Sequence, residues 1–372
     1  MARIRSYLVL LLCSAVPIFG APDPRNNLQE RAPCVFSGDT GAASAIANKN
    51  KCSTITLDNV FVPAGTTLDL TNLNAGTNVI FQGNTTFGFQ QWAGPLISVS
   101  GQNIQVSGAS GHTIDGQGHR WWDGQGSNGG TTKPKFFFAH GLTGTSQITG
   151  LNILNTPEQC FSISGSSGLT ISGVTVDDRA GDVGSLGHNT DAFDIGNSDH
   201  ITITGAIVYN QDDCVAINSG TNIIFSNGYC SGGHGLSVGS VGGRSNNVVD
   251  TVHFSNSHVV NSQNGVRIKA VAGATGSIKG VTYDGIILSG ISSAGITIRQ
   301  DYTNKGYTNN PTTDVPITGL TLNNVHGTVD SSATDIVIEC GSTSSCSGWT
   351  WTSVDVSGGK ADVCHNAPAN TC

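Results

Sequence analysis

Residues 188–217 read HNTDAFDIGNSDHITITGAIVYNQDDCVAI. Two short triplets in this stretch, Phe193-Asp194-Ile195 and Val215-Ala216-Ile217, have apolar residues at both ends. Between them lie the alternating run Ile201-Thr202-Ile203-Thr204 and the apolar Ala206-Ile207-Val208. Side chains alternate faces along a strand, so the ends of each triplet share one face and the middle takes the other. Gly, Asn and Ser punctuate the runs and no longer helical pattern separates them, which argues against alternating strands and helices.

The same triplet recurs along the chain. Ile97–Val99, Phe136–Phe138, Phe161–Ile163, Phe193–Ile195, Val215–Ile217, Leu236–Val238, Val266–Ile268, Ile296–Ile298 and Ile336–Ile338 form a ladder of rungs. Other β-type runs fill the intervals, among them NIQVSG, QITGLNIL, LTISGVTV, NIIFSN and VTYDGIIL. The shortest rung spacing, about 21 residues, is what three short strands and three turns need. Self-similar β-units at such periods mean a solenoid. The expected fold is all-β, a single-stranded right-handed parallel β-helix. Asp39–Lys49 reads as a short helix with Asp39 or Thr40 as N-cap, placed over the N-terminal opening, where a bare coil edge would expose hydrogen-bonding groups. Solenoid coils touch only their neighbours and escape the usual size limit, so 32–372 is read as one domain.

Residues 1–20 have the form of a signal peptide: Arg3 and Arg5, an apolar run from Tyr7 to Phe19, then small residues. The run is too short for a membrane span. Residues 21–31 read as a pro-segment, and the product as secreted and extracellular. Formal net charge is −8, which disfavours a nucleic-acid partner. No membrane partner is expected, and the chain is read as a monomer. Charged residues make up only 11%, and there are 50 glycines, a composition for sheet and tight turns. Cys13 leaves with the leader. Local spacing suggests Cys34 with Cys52, Cys214 with Cys230, Cys340 with Cys346 and Cys364 with Cys372, although spacing alone does not prove connectivity. Cys160 is left over and reads as a buried small apolar residue. Asn84-Thr85-Thr86 is an Asn-x-Thr glycosylation site.

The ladder also collects the chemistry. The residues two places before Phe193, Val215 and Leu236 are Asp191, Asp213 and His234, so they form one column on three successive coils about 4.8 Å apart. Asp212 lies one residue earlier than Asp213. On the next rung Arg267 and Lys269 share the outward face. Small residues stand immediately before most rungs (Cys160, Ala192, Cys214, Gly235, Gly265, Gly295) and leave a shallow groove for an extended polymer. An Asp-Asp pair alone is usually a solvated turn, and a lone His is usually structural. Their coincidence in one column points instead to glycoside hydrolysis, which needs one protonated and one ionised carboxyl. Arg267 and Lys269 suit the carboxylate of an acidic sugar.

These residues carry a family likeness. HNTDAFDI (188–195), NQDDCVAI (210–217), SGGHGLSVGSVGG (231–243) and NSQNGVRIK (261–269) resemble, in order, the signature blocks of the polygalacturonases, glycoside hydrolase family 28, and within it the fungal endopolygalacturonases. The likeness runs from SGHTIDGQGHRWWDG (110–124) to the closing cysteines. It implies a β-helix that hydrolyses α-1,4 links between galacturonates in pectin or polygalacturonate, with inversion and without a cofactor or metal. It implies Asp212 as proton donor, Asp191 and Asp213 as the pair activating water, and His234 as the residue tuning the donor. Arg267, Lys269 and Tyr302 (in RQDYTN) take the place of substrate contacts. Two departures stand out: Ala192, where Gly is common, and NTPEQCF (155–161), where an aromatic is usual near Thr156.

Three other readings are weighed. An exo-acting hydrolase would need loops closing one end of the groove, and no large insertion lies near the site blocks. A pectate lyase would use the aspartates for calcium. A non-catalytic polysaccharide-binding β-helix would gain nothing from clustered acids that repel a polyanion.

Overall fold

The computed structural model describes residues 31–372. The leader and pro-segment readings lie outside the described residues. The triplets stack as expected. One sheet holds, in chain order, strands Leu68–Leu73, Ile97–Gln102, Phe137–Thr143, Phe161–Ser164, Phe193–Gly196, Val215–Ile217, Leu236–Val241, Asn264–Val271, Ala294–Thr303, Thr334–Glu339 and Val363–His365, each parallel to the next. The remaining sides of the coils form a 20-stranded sheet. There Thr170–Ser172 lies beside Ser198–Thr204, and Ser198–Thr204 beside Gly220–Ser226. The fold is a right-handed parallel β-helix.

Register pairs Phe161 with Phe193, Phe193 with Val215, Val215 with Leu236, Leu236 with Val266, Val266 with Ile296 and Ile296 with Ile336. The triplet ends are buried in one continuous core. Aromatic ladders run through it: the rings of Phe161 and Phe193 stack with centroids 5.3 Å apart, and those of Phe254 and Tyr283 4.6 Å apart.

One rung differs from the expectation. The second is Phe137–Ala139, not Phe136–Phe138, since Phe137 pairs with Ile97 and with Phe161. Three successive phenylalanines give alternation nothing to choose by. Phe136 takes the inward slot before the rung, which neighbouring coils fill with Cys160 or Ala192, and packs its ring edge-on against Phe87 at 6.0 Å. The ladder is also longer than expected. Leu68-Asp69-Leu70 is a rung of the same pattern, and a last strand, Val363–His365, sets Val363 beside Val337 and Cys364 beside Ile338 without it.

The helix Gly41–Asn48 has Thr40 at its N-cap and buries Ala42 and Ala45. It packs on the first strands of the solenoid. Disulfides join Cys34 to Cys52, Cys214 to Cys230, Cys340 to Cys346 and Cys364 to Cys372, and Cys160 is a free, buried thiol. Asn84 is exposed on its strand, and its side-chain oxygen accepts from Thr113 Oγ1 at 2.6 Å.

The aromatic stack gives a test of the core. Phe193→Ala should destabilise the protein by about 3–5 kcal/mol, the usual cost of deleting a buried ring. The midpoint of urea unfolding, with the slope held constant, measures it. A shift equal to that of a surface substitution would mean that the rungs do not depend on the stack.

Candidate active site

The parallel ladder runs on into the turns that precede the rungs. Cys160 N–H donates to Asp191 O, Ala192 N–H to Asp213 O and Cys214 N–H to Gly235 O, at 2.8, 3.0 and 3.1 Å. This places Asp191, Asp213 and His234 in the expected column. His234 stands beside Gly235, whose φ of +95° favours glycine; a Cβ there would lie 2.3 Å from Asn264 O and 2.5 Å from Gly265 O. The Asp212–Asp213 turn is fixed from two directions. Buried Asn210 donates its Nδ2 hydrogens toward the carbonyls of Thr190 (2.8 Å), Asp212 (2.9 Å) and Asp213 (3.1 Å). The Cys214–Cys230 disulfide ties the turn to the far side of the coil.

The two adjacent carboxylates meet different partners. Asp213 is 1% exposed. Lys269 Nζ lies 2.5 Å from its Oδ2, while Ser237 Oγ at 2.5 Å and Arg267 Nη1 at 3.4 Å approach Oδ1. Asp212 accepts from the Asp213 amide at 2.8 Å and from Asn189 Nδ2 at 3.1 Å, and its Oδ1 lies 2.9 Å from His234 Nδ1. Burial pushes the Asp212 carboxyl up, but the His234 hydrogen bond and charge, with Lys269 and the Asp213 amide, outweigh it and bring it down to about 2. Asp191 goes the other way. Burial raises it well above the usual range, and the negative charges of Asp212, Asp194 and Asp213 add to the rise. Its Oδ1 is buried without a hydrogen-bond partner among the described residues.

Sequence reasoning missed Asp194. It is the middle residue of its rung, pairing with Ser162 and Ala216, so it points outward onto the groove floor. Burial, opposed by Lys135 and reinforced by Asp213 and Asp212, raises its carboxyl to about 7. The signal was present in the triplet itself, since Asp194 is an acid set between Ser162 and Ala216 on the outward column, one rung from the Asp212–Asp213 turn. Ser237 and Asn210 were also missed. Each carries its effect through one buried hydrogen-bonding group, which no spacing rule marks.

Arg267 and Lys269 do share the outward face, but they are only 8% and 6% exposed. The groove is therefore deeper than expected, and the two cations are committed to Asp213. Tyr302 stands near both, its ring centroid 5.5 Å from Lys269 Nζ and 6.0 Å from the Arg267 guanidinium carbon. All seven expected residues except Tyr302 thus come together around the Asp212–Asp213 turn, and Tyr302 lines the same cavity of about 540 Å³ with Asp194, Lys135 and Arg244. Asp212, Asp213 and His234 each offer a ligand atom, and these atoms lie within 4.8 Å of one another. Lys269 and Arg267 already supply the positive charge that a cation would bring to Asp213.

A long groove on a parallel β-helix, floored by acids in opposite protonation states and edged by cations, is the working surface of a polysaccharide hydrolase. Residues 52–372 match the Glycosyl hydrolases family 28 profile, and the chain belongs to that family of glycoside hydrolases. It is 77% identical over 340 residues to a polygalacturonase of Penicillium expansum, covering 91% of this chain and 90% of that one. It is 58% identical over 362 residues to endopolygalacturonase I of Aspergillus aculeatus, covering 97% and 94%. Endopolygalacturonase I from Stereum purpureum, solved with two galacturonates, superposes with a TM-score of 0.79 at 38% identity, covering 89% of this chain and 96% of that one.

The raised carboxyls give the protein a pH signature. A carboxyl above its unfolded value favours the folded state when protonated. The Asp194 contribution is complete below its ordinary value of 3.8 and is lost as pH rises toward about 7, and Asp191 acts with the same sign. Thermal stability should therefore fall from about pH 4 to about pH 7, and Asp194→Asn should make the fall shallower, each unit of separation being about 1.4 kcal/mol. Melting temperatures across that range measure it. Parallel curves for the two proteins would remove Asp194 from the linkage.

Proposed function

We propose that this hydrolase is a secreted endopolygalacturonase, cutting α-1,4 links within polygalacturonate. The observation that carries the reading is the convergence of Asp191, Asp212, Asp213 and His234 on one groove, with Lys269 and Arg267 beside Asp213. The names of the relatives give the same substrate class. Disulfides and the exposed Asn84 support an extracellular setting, and among the described residues no helix is long and apolar enough to cross a membrane.

In this reading Asp212 protonates the leaving oxygen, and Asp191 with Asp213 holds and activates water. With the groove open, Asp212 is ionised, its carboxyl brought down to about 2. Substrate covering the groove removes water, and a desolvated carboxylate becomes costly. Protonation then turns Asp212 into the neutral acid that the leaving group needs, and His234 Nδ1, 2.9 Å from its Oδ1, is the contact that orients it. Asp213 is held between Lys269, Arg267 and Ser237. A galacturonate carboxylate entering beside Lys269 shares that cation with Asp213.

Inversion rests on the family likeness. An inverting enzyme releases the anomer opposite to that of the link it cuts, and a retaining enzyme the same one. The anomer released first, read by proton NMR, decides between them.

Asp212→Asn should lower kcat at least 10²-fold on polygalacturonate with the fold retained. His234→Ala should lower kcat and displace the pH profile. Near wild-type turnover for a folded Asp212→Asn protein would remove Asp212 from the mechanism. Products should be saturated oligomers of mixed length formed early, and activity should survive EDTA; an ultraviolet-absorbing double bond would make the chemistry elimination.

Substrate charge is read separately. Lys269→Asn should reduce kcat/KM on polygalacturonate by about 10–150-fold, the range for one hydrogen bond to a charged group at 1.5–3 kcal/mol. The loss should be smaller on methyl-esterified pectin. Equal fractional losses on both substrates would mean that Lys269 serves only to hold Asp213.

A further inference from the structure

A second cavity of about 290 Å³ opens beside the first and shares Ser127 and Lys135 with it. Its wall is the loop 126–133, and outside that loop it is lined by Ala93, Lys135 and Glu158. The loop is pinned from within. Lys133 Nζ, with its side chain 1% exposed, donates to Gly126 O at 3.0 Å and Thr131 O at 2.8 Å and pairs with Asp123 at 2.8 Å. Its three hydrogens are thereby used.

Glu158 is different. It is 6% exposed and lines the cavity, and its carboxyl makes no hydrogen bond or ion pair with any described residue. It belongs to the departing segment NTPEQCF. Register gives its place along the groove. Glu158 stands three residues before Phe161, as Asp212 stands three before Val215, and Phe161, Phe193 and Val215 are successive rungs. Glu158 therefore occupies the slot of Asp212 two coils away, about 10 Å along the solenoid axis at about 4.8 Å per coil. A polymer lying along the groove through the first cavity reaches the second within a few sugar units.

The charges acting on Glu158 are Lys135 and Lys133, the second already paired with Asp123. Burial raises the Glu158 carboxyl above its ordinary value, and the two lysines only partly offset the rise. Lys135 donates to Gln159 Oε1 at 3.0 Å and keeps hydrogens for another partner. When Glu158 is protonated, the Lys135 charge is free for a uronate carboxylate and the Glu158 hydroxyl can donate to it. When Glu158 is ionised, it offsets Lys135 and repels that carboxylate. An uncharged methyl ester meets neither the repulsion nor its relief.

We propose that this second cavity is a distal sugar subsite at which Glu158 selects by charge, admitting an ionised galacturonate only together with a proton and an esterified unit regardless of pH. The proposal rests on the endopolygalacturonase reading.

Calorimetric titration tests it, with the slow Asp212→Asn protein as host and hexagalacturonate and its methyl ester as ligands, at about pH 4.5 and about pH 6.5. The quantity read is the ratio of the two dissociation constants. Other titrating groups, Asp191 and Asp194 among them, act alike in both hosts and cancel when Glu158→Gln is added. With Glu158 present, the preference for free over esterified ligand should fall about fivefold across that range, the size of one like-charge contact at about 4 Å in water. In Glu158→Gln that extra fall should vanish. If hexagalacturonate binds and the ratio moves equally in both hosts, Glu158 does not discriminate and the endopolygalacturonase reading stands. If hexagalacturonate binds neither host, both readings fall together. Should the Gln protein be unstable, Glu158→Leu removes the same charge at similar volume and must give the same loss of pH dependence.

Discussion

Every feature of this molecule depends on the stacking of parallel coils at one strand spacing. A parallel ladder fixes which residue lies over which, and a slip of one residue would turn each rung inside out. The core enforces the register, because Phe161, Phe193, Val215, Leu236, Val266 and Ile296 must all face inward together. The turns before the rungs inherit that order. Residues 22 and 21 apart in sequence become near neighbours, and carboxylates at equivalent turn positions are forced to share one small volume.

That crowding is unfavourable and must be offset locally. The site answers with a graded set of partners. Asp213 has two cations and a hydroxyl, Asp212 has an imidazole and an amide, Asp194 has only the charges of Lys135 and Lys269 acting on it without a hydrogen bond among the described residues, and Asp191 has a carboxylate oxygen with no hydrogen-bond partner. Protonation follows the grading. The Asp212 carboxyl is brought down by its partners, while those of Asp191 and Asp194 are pushed up by burial and by the neighbouring carboxylates. A column of like charges thus becomes a set of groups in different states, which is the condition for acid and base catalysis at one pH.

The fold was legible in the sequence because a solenoid repeats its signal. A single Val-Ala-Ile triplet says little, but the same triplet at coil-length intervals leaves few alternatives. Legibility failed where the repeat was locally degenerate, as at Phe136–Phe138, or where a disulfide replaced the apolar pattern, as at Cys364. The acidic column was legible for the same reason as the fold: it is a property of register. The depth of the groove was not, because it comes from loops such as 126–133, whose course follows no period. Nor was the pairing of Lys269 with Asp213, since two residues 56 apart in sequence meet through side-chain reach and not through the ladder alone. Asp194 was legible and was passed over, as a polar middle residue in a rung is the normal condition of a strand with one wet face.

Glu158 and Asp212 show how far register goes and where it stops. Both stand three residues before their rungs, two coils apart. Position alone would give them one chemistry. Their surroundings separate them: His234 and the Asp213 amide reach Asp212, while no donor reaches Glu158 and Lys135 is turned to Gln159. Burial pushes both carboxyls upward, and only at Asp212 do hydrogen bonds overcome it. The β-helix supplies a row of equivalent slots, and which slot ionises is settled by the one or two side chains that neighbouring coils bring within hydrogen-bond reach. Along such a groove, sites for catalysis and sites for charge discrimination can alternate without any change of backbone.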